Sequence, residues 1–187
     1  CSTLSPAFLK EFFNKKPPNI KMIEAPMSGA PMKAKDATLT FMVGANSNDF
    51  KNILPILNIL GEKIHHIGEF GSGMSVKVLN NFVASCSVLA VRHVLSEAKN
   101  LNISSEQLLN ILNCSSGKNW FSDNLNKIDW AKESYNNDNT IAILEKDVKS
   151  FIDGLQNTQS KSSDEMINFQ KALLRGLKNI PKYPDED

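Results

Sequence analysis

A long apolar segment near the middle of the chain restricts most strongly how this sequence can fold. Between Met74 and Val91 the one charged side chain is Lys77, and apolar residues fall on nearly every face of the helix that the pattern predicts. A helix that is apolar all round must be buried on all sides or cross a membrane. Serine and asparagine residues interrupt the segment too often for a bilayer span. The pattern therefore predicts the central helix of a soluble domain, from about Met74 to Leu101.

Three polar side chains form a stripe at the start of this predicted helix. Lys77, Asn80 and Asn81 lie three and four residues apart, so a helix brings one ammonium and two amides onto one face. Just before them, the backbone N–H groups of Gly71-Ser72-Gly73 could approach a ligand closely. A lysine gains nothing from the dipole at a helix N-terminus, which attracts anions. The residues alone leave two interpretations: a lysine extended to solvent beside capping amides, or a lysine facing an anionic ligand.

Composition excludes several classes of function. The chain has 187 residues, enough for one domain or two small ones, and its net charge is +1, which favours neither nucleic acid nor an anionic membrane as a partner. Cys1, Cys86 and Cys114 are an odd, scattered set, so we expect buried free thiols in a reducing compartment and no metal site. No signal peptide is visible. Because the chain begins with Cys1 and not methionine, we expect an upstream segment.

Residues 1–70 alternate helical and strand patterns. Ser5 and Pro6 are suited to the start of a helix that continues to Asn14. The remaining pattern predicts strands at 20–25, 38–44 and 63–67, a loop at 27–37, and a helix at 46–60 capped by Ser47 or Asn48 and interrupted by Pro55. The adjacent His65 and His66 would point to opposite faces of a strand and cannot form a metal pair. This order is typical of the end of an α/β domain.

From Gly71 onward no strand pattern appears. After the central helix, where Arg92, Glu97 and Lys99 mark its emergence toward solvent, Ser104 and Gln107 form a capping-box pattern. The further helices are predicted at 104–114, near 120–128, at 141–155 and at 164–177. The second part of the chain is therefore predicted to be all-α.

Four motifs together resemble the β-hydroxyacid dehydrogenases, a family that includes 3-hydroxyisobutyrate dehydrogenase, glyoxylate reductases and, more distantly, 6-phosphogluconate dehydrogenase. The pattern G-x-G-x-x-x-K-x-x-N-N at 71–81 is similar to the family's active-site helix. Ser2-Thr3-x-x-Pro6 resembles its turn after a Rossmann-type strand, and Lys146-Asp147-Val148 resembles its K-D-L. Residues 24–45 resemble its D-A-P-V-S-G-G-x-x-G-A-x-x-G-T-L-T-x-M-V-G-G.

The chain departs from the family pattern at several positions. Ala30, Lys33 and Ala37 replace three of its glycines, and Ala30 is expected to limit positive φ and close approach of the backbone to a ligand. Glu24 replaces its aspartate, and Asn139 lies near the position of the phenylalanine that usually precedes K-D-L. These changes affect the expected substrate pocket.

The resemblance implies a role for each matching residue. Lys77 would be catalytic and would exchange a proton with the substrate oxygen. The implied substrate-binding residues are Ser28, Gly29, Asn80 and Asn81. The implied cofactor-binding residues are Ser2, Thr3 and Lys146, with Gly73 and Asp147 in supporting roles. Without the resemblance, two adjacent charges such as Lys146 and Asp147 are typical of a solvated helix face.

The resemblance also implies the fold and the function. Residues 1–70 would be the C-terminal part of a Rossmann-type NAD(P)-binding α/β domain, and residues 71–187 an all-α substrate and dimerisation domain built on the central helix. The sequence contains no G-x-G-x-x-G/A motif after a strand with an acidic residue at the appropriate interval. We expect an NAD- or NADP-dependent oxidoreductase of a small 3-hydroxyacid, a homodimer, in the cytoplasm or mitochondrial matrix. The alternative is a non-catalytic dimerisation or interaction module derived from that family.

Overall fold

A computed structural model describes residues 3–156 and 162–184 of the chain. The chain divides into two compact units, one of Cys1–Asn80 with Lys149–Lys161 and the other of Asn81–Val148 with Ser162–Asp187. A small sheet lies in the first unit, and the described elements of the second are helical. The predicted mixed fold class, an α/β part followed by an all-α part with a long helix, is therefore confirmed. The domain boundary near residue 70 remains a prediction.

The first unit is built around a three-stranded sheet. Its helices and strands are α1 Pro6–Asn14, β1 Met27–Ser28, α2 Ala30–Lys35, β2 Leu39–Gly44, α3 Ser47–Leu60 and β3 Gly61–Gly68. The strand order is β1-β2-β3, with β1 antiparallel and β3 parallel to the central β2. Strand β2 is buried along almost its whole length, as expected of a strand covered on both faces. The buried core of this sheet comprises Leu39, Phe41, Val43, Ala45 and Leu57.

Local signals predicted some of these elements correctly. The Ser5 hydroxyl accepts a hydrogen bond from the Phe8 N–H, and Pro6 is the first residue of α1. Helix α3 occupies the predicted range and continues through Pro55, but its N-cap is Asn46, not Ser47 or Asn48. Asn46 itself still has extended backbone geometry, as an N-cap residue does, and its side-chain oxygen accepts hydrogen bonds from the N–H groups of Asn48 and Asp49.

Two predictions for this unit are wrong. The segment 20–25 is not a strand: its one β-bridge joins Glu24 to Gly44, and Ile20 is 49% exposed. An extended, apolar segment forms a strand only where a neighbouring strand pairs with its backbone N–H and carbonyl groups, and here that happens at Glu24 alone among residues 20–25. The segment 27–37 is not a simple loop, because it contains β1 and α2, and Pro31 near the start of α2 supplies a φ suited to a helix.

Two of the alanines that replace family glycines adopt the left-handed backbone conformation. Ala30, the first residue of α2, has φ +56°, and Ala37, two residues after the end of α2, has φ +54°. The expectation that Ala30 would limit positive φ is therefore wrong for the backbone, which keeps the turn and accepts the strain. A non-glycine residue in this region costs about 1–2 kcal/mol because Cβ approaches the neighbouring carbonyl oxygen.

Replacing Ala37 by glycine should therefore stabilise the protein. Glycine relieves the strain but adds about 0.5–1 kcal/mol of conformational entropy to the unfolded chain, so we expect a net gain of about 0.5–1 kcal/mol in the free energy of unfolding. The matched control is Ala34→Gly, an exposed helical position in α2 where glycine should destabilise by a similar amount. Urea denaturation measures both, and equal losses in the two variants would show that Ala37 carries no strain.

The second unit is helical in its described parts. Helix α4 Ser72–Asn100 runs from the first unit into the second, and the order continues with α5 Ser105–Cys114, α6 Trp120–Asn124, a 3₁₀ helix Leu125–Lys127, α7 Thr140–Gln156 and α8 Asp164–Lys178. The capping box of Ser104 and Gln107 forms as predicted, and Ser163 caps α8 through the Met166 N–H. These elements agree with the predicted helices within a few residues.

Helix α4 buries one face and exposes another. Met74, Val78, Val88 and Leu95 are buried, at spacings that keep them on one side of the helix. On the exposed side, the exposed fractions of Leu79, Val83 and Val94 are 52%, 64% and 43%. The prediction of burial on all sides is therefore wrong for the single chain. By length and composition alone, α4 is also apolar enough to cross a membrane, a test that core helices of soluble proteins pass too.

Arg92 lies fully inside the second unit, although the sequence predicted that it marks the exit of α4 to solvent. Its guanidinium donates to the carbonyl oxygens of Ala131 and Glu133, at 2.8 Å each, and to that of Pro181. Burial lowers the pKa of the Arg92 guanidinium from its usual value. These contacts join α4 to two segments that follow 39 and 89 residues later in the chain.

The two described cysteines are free, as predicted, but only one is partly buried. Cys86 is half-buried in α4, and burial raises the pKa of its thiol. Cys114, at the end of α5, is exposed, so the expectation of burial is wrong for this thiol. Cys1 lies outside the described residues.

Candidate functional site

The start of α4 is held by a buried glutamate. The Glu24 carboxylate is 5% exposed, and its Oε1 accepts hydrogen bonds from the backbone N–H groups of Gly71 and Gly73, at 2.7 Å each. The first N–H groups of a helix have no partner within the helix, so this oxygen satisfies two of them. Burial raises the pKa of Glu24 and opposes the backbone N–H groups, which lower it.

Glycines let the backbone approach closely at this point. A Cβ on Gly73 would lie 2.3 Å from the Met42 carbonyl oxygen, and one on Gly44 would lie 2.0 Å from Glu24 Oε1. Nearby, the Leu4 N–H lies 3.5 Å from the Met74 sulfur, which brings the segment before α1 to the first turn of α4. The start of α4 is therefore in contact with the end of β2 and with the segment before α1, all within the first unit.

This geometry changes the meaning of the Gly71-Ser72-Gly73 motif. The sequence predicted that its N–H groups could approach a ligand, but two of them are bound to Glu24. Sequence reasoning noted Glu24 merely as a departure from the family pattern. The signal that could have identified it is an acid placed directly between apolar Ile23 and the Ala25-Pro26 dipeptide, because a carboxylate in an apolar segment needs nearby hydrogen-bond donors.

The polar stripe of α4 forms as predicted. Lys77 and Asn81 are half-buried, and Asn80 is exposed. Lys77 lies one helical turn after Gly73, the residue whose N–H group Glu24 holds. Lys77 and the turn that Glu24 holds therefore belong to the same helix.

In the second unit, the structure brings three of the predicted site residues together. The Asn81 side-chain amide donates to Asp147 Oδ2 at 2.5 Å, and the Lys146 ammonium lies 2.6 Å from Asp147 Oδ1. Asp147 is 3% exposed, whereas the Lys146 side chain is 46% exposed. A carboxylate can only accept hydrogen bonds, so the NH₂ group of the Asn81 amide, and not its oxygen, must face Asp147. This contact fixes the orientation of the amide.

The other predicted residues belong to the first unit. Ser28 ends β1 and is half-buried, and Gly29, with φ +139°, is the N-cap of α2. A Cβ on Gly29 would lie 2.6 Å from Lys33 Cβ, so the stem of Lys33 covers this glycine. Thr3 is 9% exposed, and Ser2 lies outside the described residues. Among residues 3–156 and 162–184, no cluster of histidine, cysteine and acidic side chains could hold a metal ion.

Comparison with known families accounts for nearly the whole chain. Residues 71–173 match the family described as NAD-binding of NADP-dependent 3-hydroxyisobutyrate dehydrogenase, a stretch that covers more than half of the chain. Residues 1–68 match the NAD binding domain of 6-phosphogluconate dehydrogenase. The chain belongs to the β-hydroxyacid dehydrogenase family. The predicted resemblance is thus confirmed.

Individual β-hydroxyacid dehydrogenases match part of the chain. The mitochondrial 3-hydroxyisobutyrate dehydrogenase of Drosophila melanogaster is 32% identical over 128 residues, which is 68% of this chain and 40% of that protein. The 2-(hydroxymethyl)glutarate dehydrogenase of Eubacterium barkeri is 34% identical over 101 residues, 54% of this chain and 34% of that protein. The matched region thus spans 40% or less of the length of these two relatives.

Solved structures of the same family share the fold. The 3-hydroxyisobutyrate dehydrogenase of Mycobacterium tuberculosis, solved with L-serine, covers 95% of this chain with a TM-score of 0.71 and 24% identity. That of Salmonella typhimurium covers 95% with a TM-score of 0.78 and 20% identity. The chain covers 60% and 61% of these two structures.

Proposed function

We propose that the protein is an NAD- or NADP-dependent oxidoreductase of a small 3-hydroxyacid or a related aldehyde or keto acid, with Lys77 as general acid and base. Membership of the β-hydroxyacid dehydrogenase family is the observation that carries this proposal. We place it in the cytoplasm or the mitochondrial matrix. Two observations support this: the relatives from Drosophila melanogaster and Arabidopsis thaliana are named as mitochondrial, and the two described cysteines are free thiols, which are typical of a reducing compartment.

Two residues of this chain carry donors suited to a nicotinamide cofactor. Thr3 and Lys146 supply a hydroxyl and a half-exposed ammonium, which are donors suited to polar groups near a nicotinamide. The backbone N–H groups of Gly71 and Gly73 bind Glu24 and are therefore not offered to a pyrophosphate. When bound, the cofactor supplies or accepts hydride.

The chain's own residues then bind the substrate and move one proton. In the first unit, Ser28 and Gly29 offer a hydroxyl and a backbone N–H suited to a substrate carboxylate. In the second unit, Asn81 is the proposed substrate-binding residue, and Asp147 orients its amide. Lys77 gives a proton to the substrate oxygen in reduction and takes it back in oxidation. Asn80 lies beside Lys77 on the same face of α4.

We further propose that the protein is a homodimer that associates through its helices. The exposed apolar side of α4, with Leu79, Val83 and Val94, supports this, because exposed apolar surface of this kind often marks a contact with another chain. Sedimentation at micromolar concentration measures the mass, and a well-folded monomer would contradict the proposal.

The test of the activity is an assay of the full-length gene product that contains this sequence. We expect NAD(P)+-dependent oxidation of at least one small 3-hydroxyacid, followed by absorbance at the wavelength of the reduced nicotinamide. The 187-residue chain alone is the matched control, and we expect it to bind neither dinucleotide tightly because it has no phosphate-binding fingerprint. A folded full-length protein that binds dinucleotide but oxidises no 3-hydroxyacid and reduces no corresponding aldehyde would favour the non-catalytic alternative.

A further inference from the structure

The buried carboxylate of Glu24 connects the sheet of the first unit to the start of α4. Its backbone N–H and carbonyl pair with the carbonyl and N–H of Gly44, at 3.1 and 3.0 Å, which fixes Glu24 beside the end of β2. Its side chain then passes over Gly44, where no Cβ could fit, and reaches the N–H groups of Gly71 and Gly73. One side chain therefore holds the helix start to the strand end.

The first turn of α4 packs closely against the end of β2 and has little room to move. The backbone of Gly73 approaches the Met42 carbonyl and the Gly44 N–H so closely that a Cβ would collide with both. The turn can hold this position only while its N–H groups have acceptors, because unpaired buried N–H groups would draw it toward water or another acceptor. Lys77 is four residues after Gly73 on the same rigid helix, so a displacement of the first turn moves its side chain as well.

We propose that Glu24 is a positioning residue for the proton-transfer step: it seats the first turn of α4 against β2 and thereby fixes the position of the Lys77 ammonium. This inference rests on the proposed function, because it assigns a role to Lys77. The hydrogen-bond acceptor Oε1 carries the role, and the negative charge of the carboxylate is not required for it.

The full-length gene product with three substitutions at position 24 tests this role. Glu24→Gln keeps an acceptor oxygen of the same reach, so its kcat should stay within about threefold of the wild type. Glu24→Ala removes the acceptor and should lower kcat about 10- to 100-fold, since a displacement of about 1 Å of a reacting group can cost about 10²-fold. The KM for the hydroxyacid should change less than kcat, because Ser28, Gly29 and Asn81 are retained. Glu24→Met fills the space but has no acceptor oxygen, so it should show the same loss of kcat, and it replaces the alanine variant if that variant does not fold.

The control variant is Glu62→Ala, an exposed acid on β3 that should leave kcat unchanged. A merely structural role for Glu24 predicts a lower melting temperature in Glu24→Ala and Glu24→Met with kcat per folded molecule unchanged, and that result would overturn the inference. If Glu24→Gln lost as much kcat as Glu24→Ala, the inference would be overturned too, because glutamine retains the acceptor oxygen. A wild type with no turnover would overturn the proposed function and the inference together, whereas lysine-dependent turnover that is insensitive to Glu24 would overturn the inference alone.

Discussion

Replacing Lys77 by methionine should lower kcat of the full-length protein by about 10²–10⁴-fold, the usual loss when a general acid or base is removed. The variant should fold normally, because Lys77 is half-buried on a largely apolar helix and methionine retains most of the volume of its stem. Stopped-flow or steady-state measurement of kcat, with circular dichroism to verify the fold, gives the answer.

Three companion variants separate the role of the lysine from other causes. Lys77→Arg keeps the positive charge but gives up a proton far less readily, so it should also be severely slowed. Asn81→Ala should act mainly on KM, because its role is binding. Lys99→Met, at an exposed position near the end of the same helix, should be neutral. If Lys77→Met kept most of the turnover while folded, the catalytic assignment would be wrong and Lys77 would be a scaffold residue.

Elements with local causes were predictable from the sequence. The Ser104–Gln107 capping box, the Ser5 cap and the amphipathic stripes of α7 and α8 depend on residues three or four apart, so their sequence signal and their structure coincide. The family pattern likewise placed Asn81 and Asp147 among the site residues, and these two are in contact. The functional roles of these residues remain predictions.

Residues that act through distant contacts were not predictable in the same way. Glu24 acts on groups 47 and 49 residues away, and no periodic pattern in the sequence connects them. The segment 20–25 carries a strand pattern, but a strand also needs a partner along its length. Ala30 and Ala37 show that a backbone turn can persist after its glycines are lost, at a cost in strain that sequence comparison alone does not reveal.

Arg92 is the clearest case, because an arginine at the end of an apolar run usually marks the surface. Its burial depends on carbonyl groups that become available only when the segments at 131–133 and 181 fold against α4. A guanidinium has five N–H donors and can satisfy several carbonyl oxygens at once. In the described part of the chain, three backbone carbonyl oxygens thus replace the water that a buried guanidinium loses.

Replacing Arg92 by methionine should lower the free energy of unfolding of the second unit by about 3 kcal/mol or more. Methionine fills much of the volume but leaves the carbonyl groups of Ala131, Glu133 and Pro181 without their donor. The bond to Ala131 is buried and the other two are partly buried, and an unpaired buried group costs about 1–3 kcal/mol, with a smaller cost where water can reach the group. Trp120 and Trp130 both belong to this unit, so tryptophan fluorescence during urea denaturation follows it specifically.

Arg175→Met is the matched control, because Arg175 is the other arginine of the chain and is exposed on α8. Its loss should change the free energy of unfolding by less than about 0.5 kcal/mol, as is usual for surface substitutions. Arg92→Lys should fall between the two, since an ammonium keeps the charge but cannot reach three carbonyls with the geometry of a planar guanidinium. Equal stability of Arg92→Met and Arg175→Met would mean that water replaces the lost donors without cost, and the segments at 131–133 and 181 would then be held by their apolar neighbours instead of by Arg92.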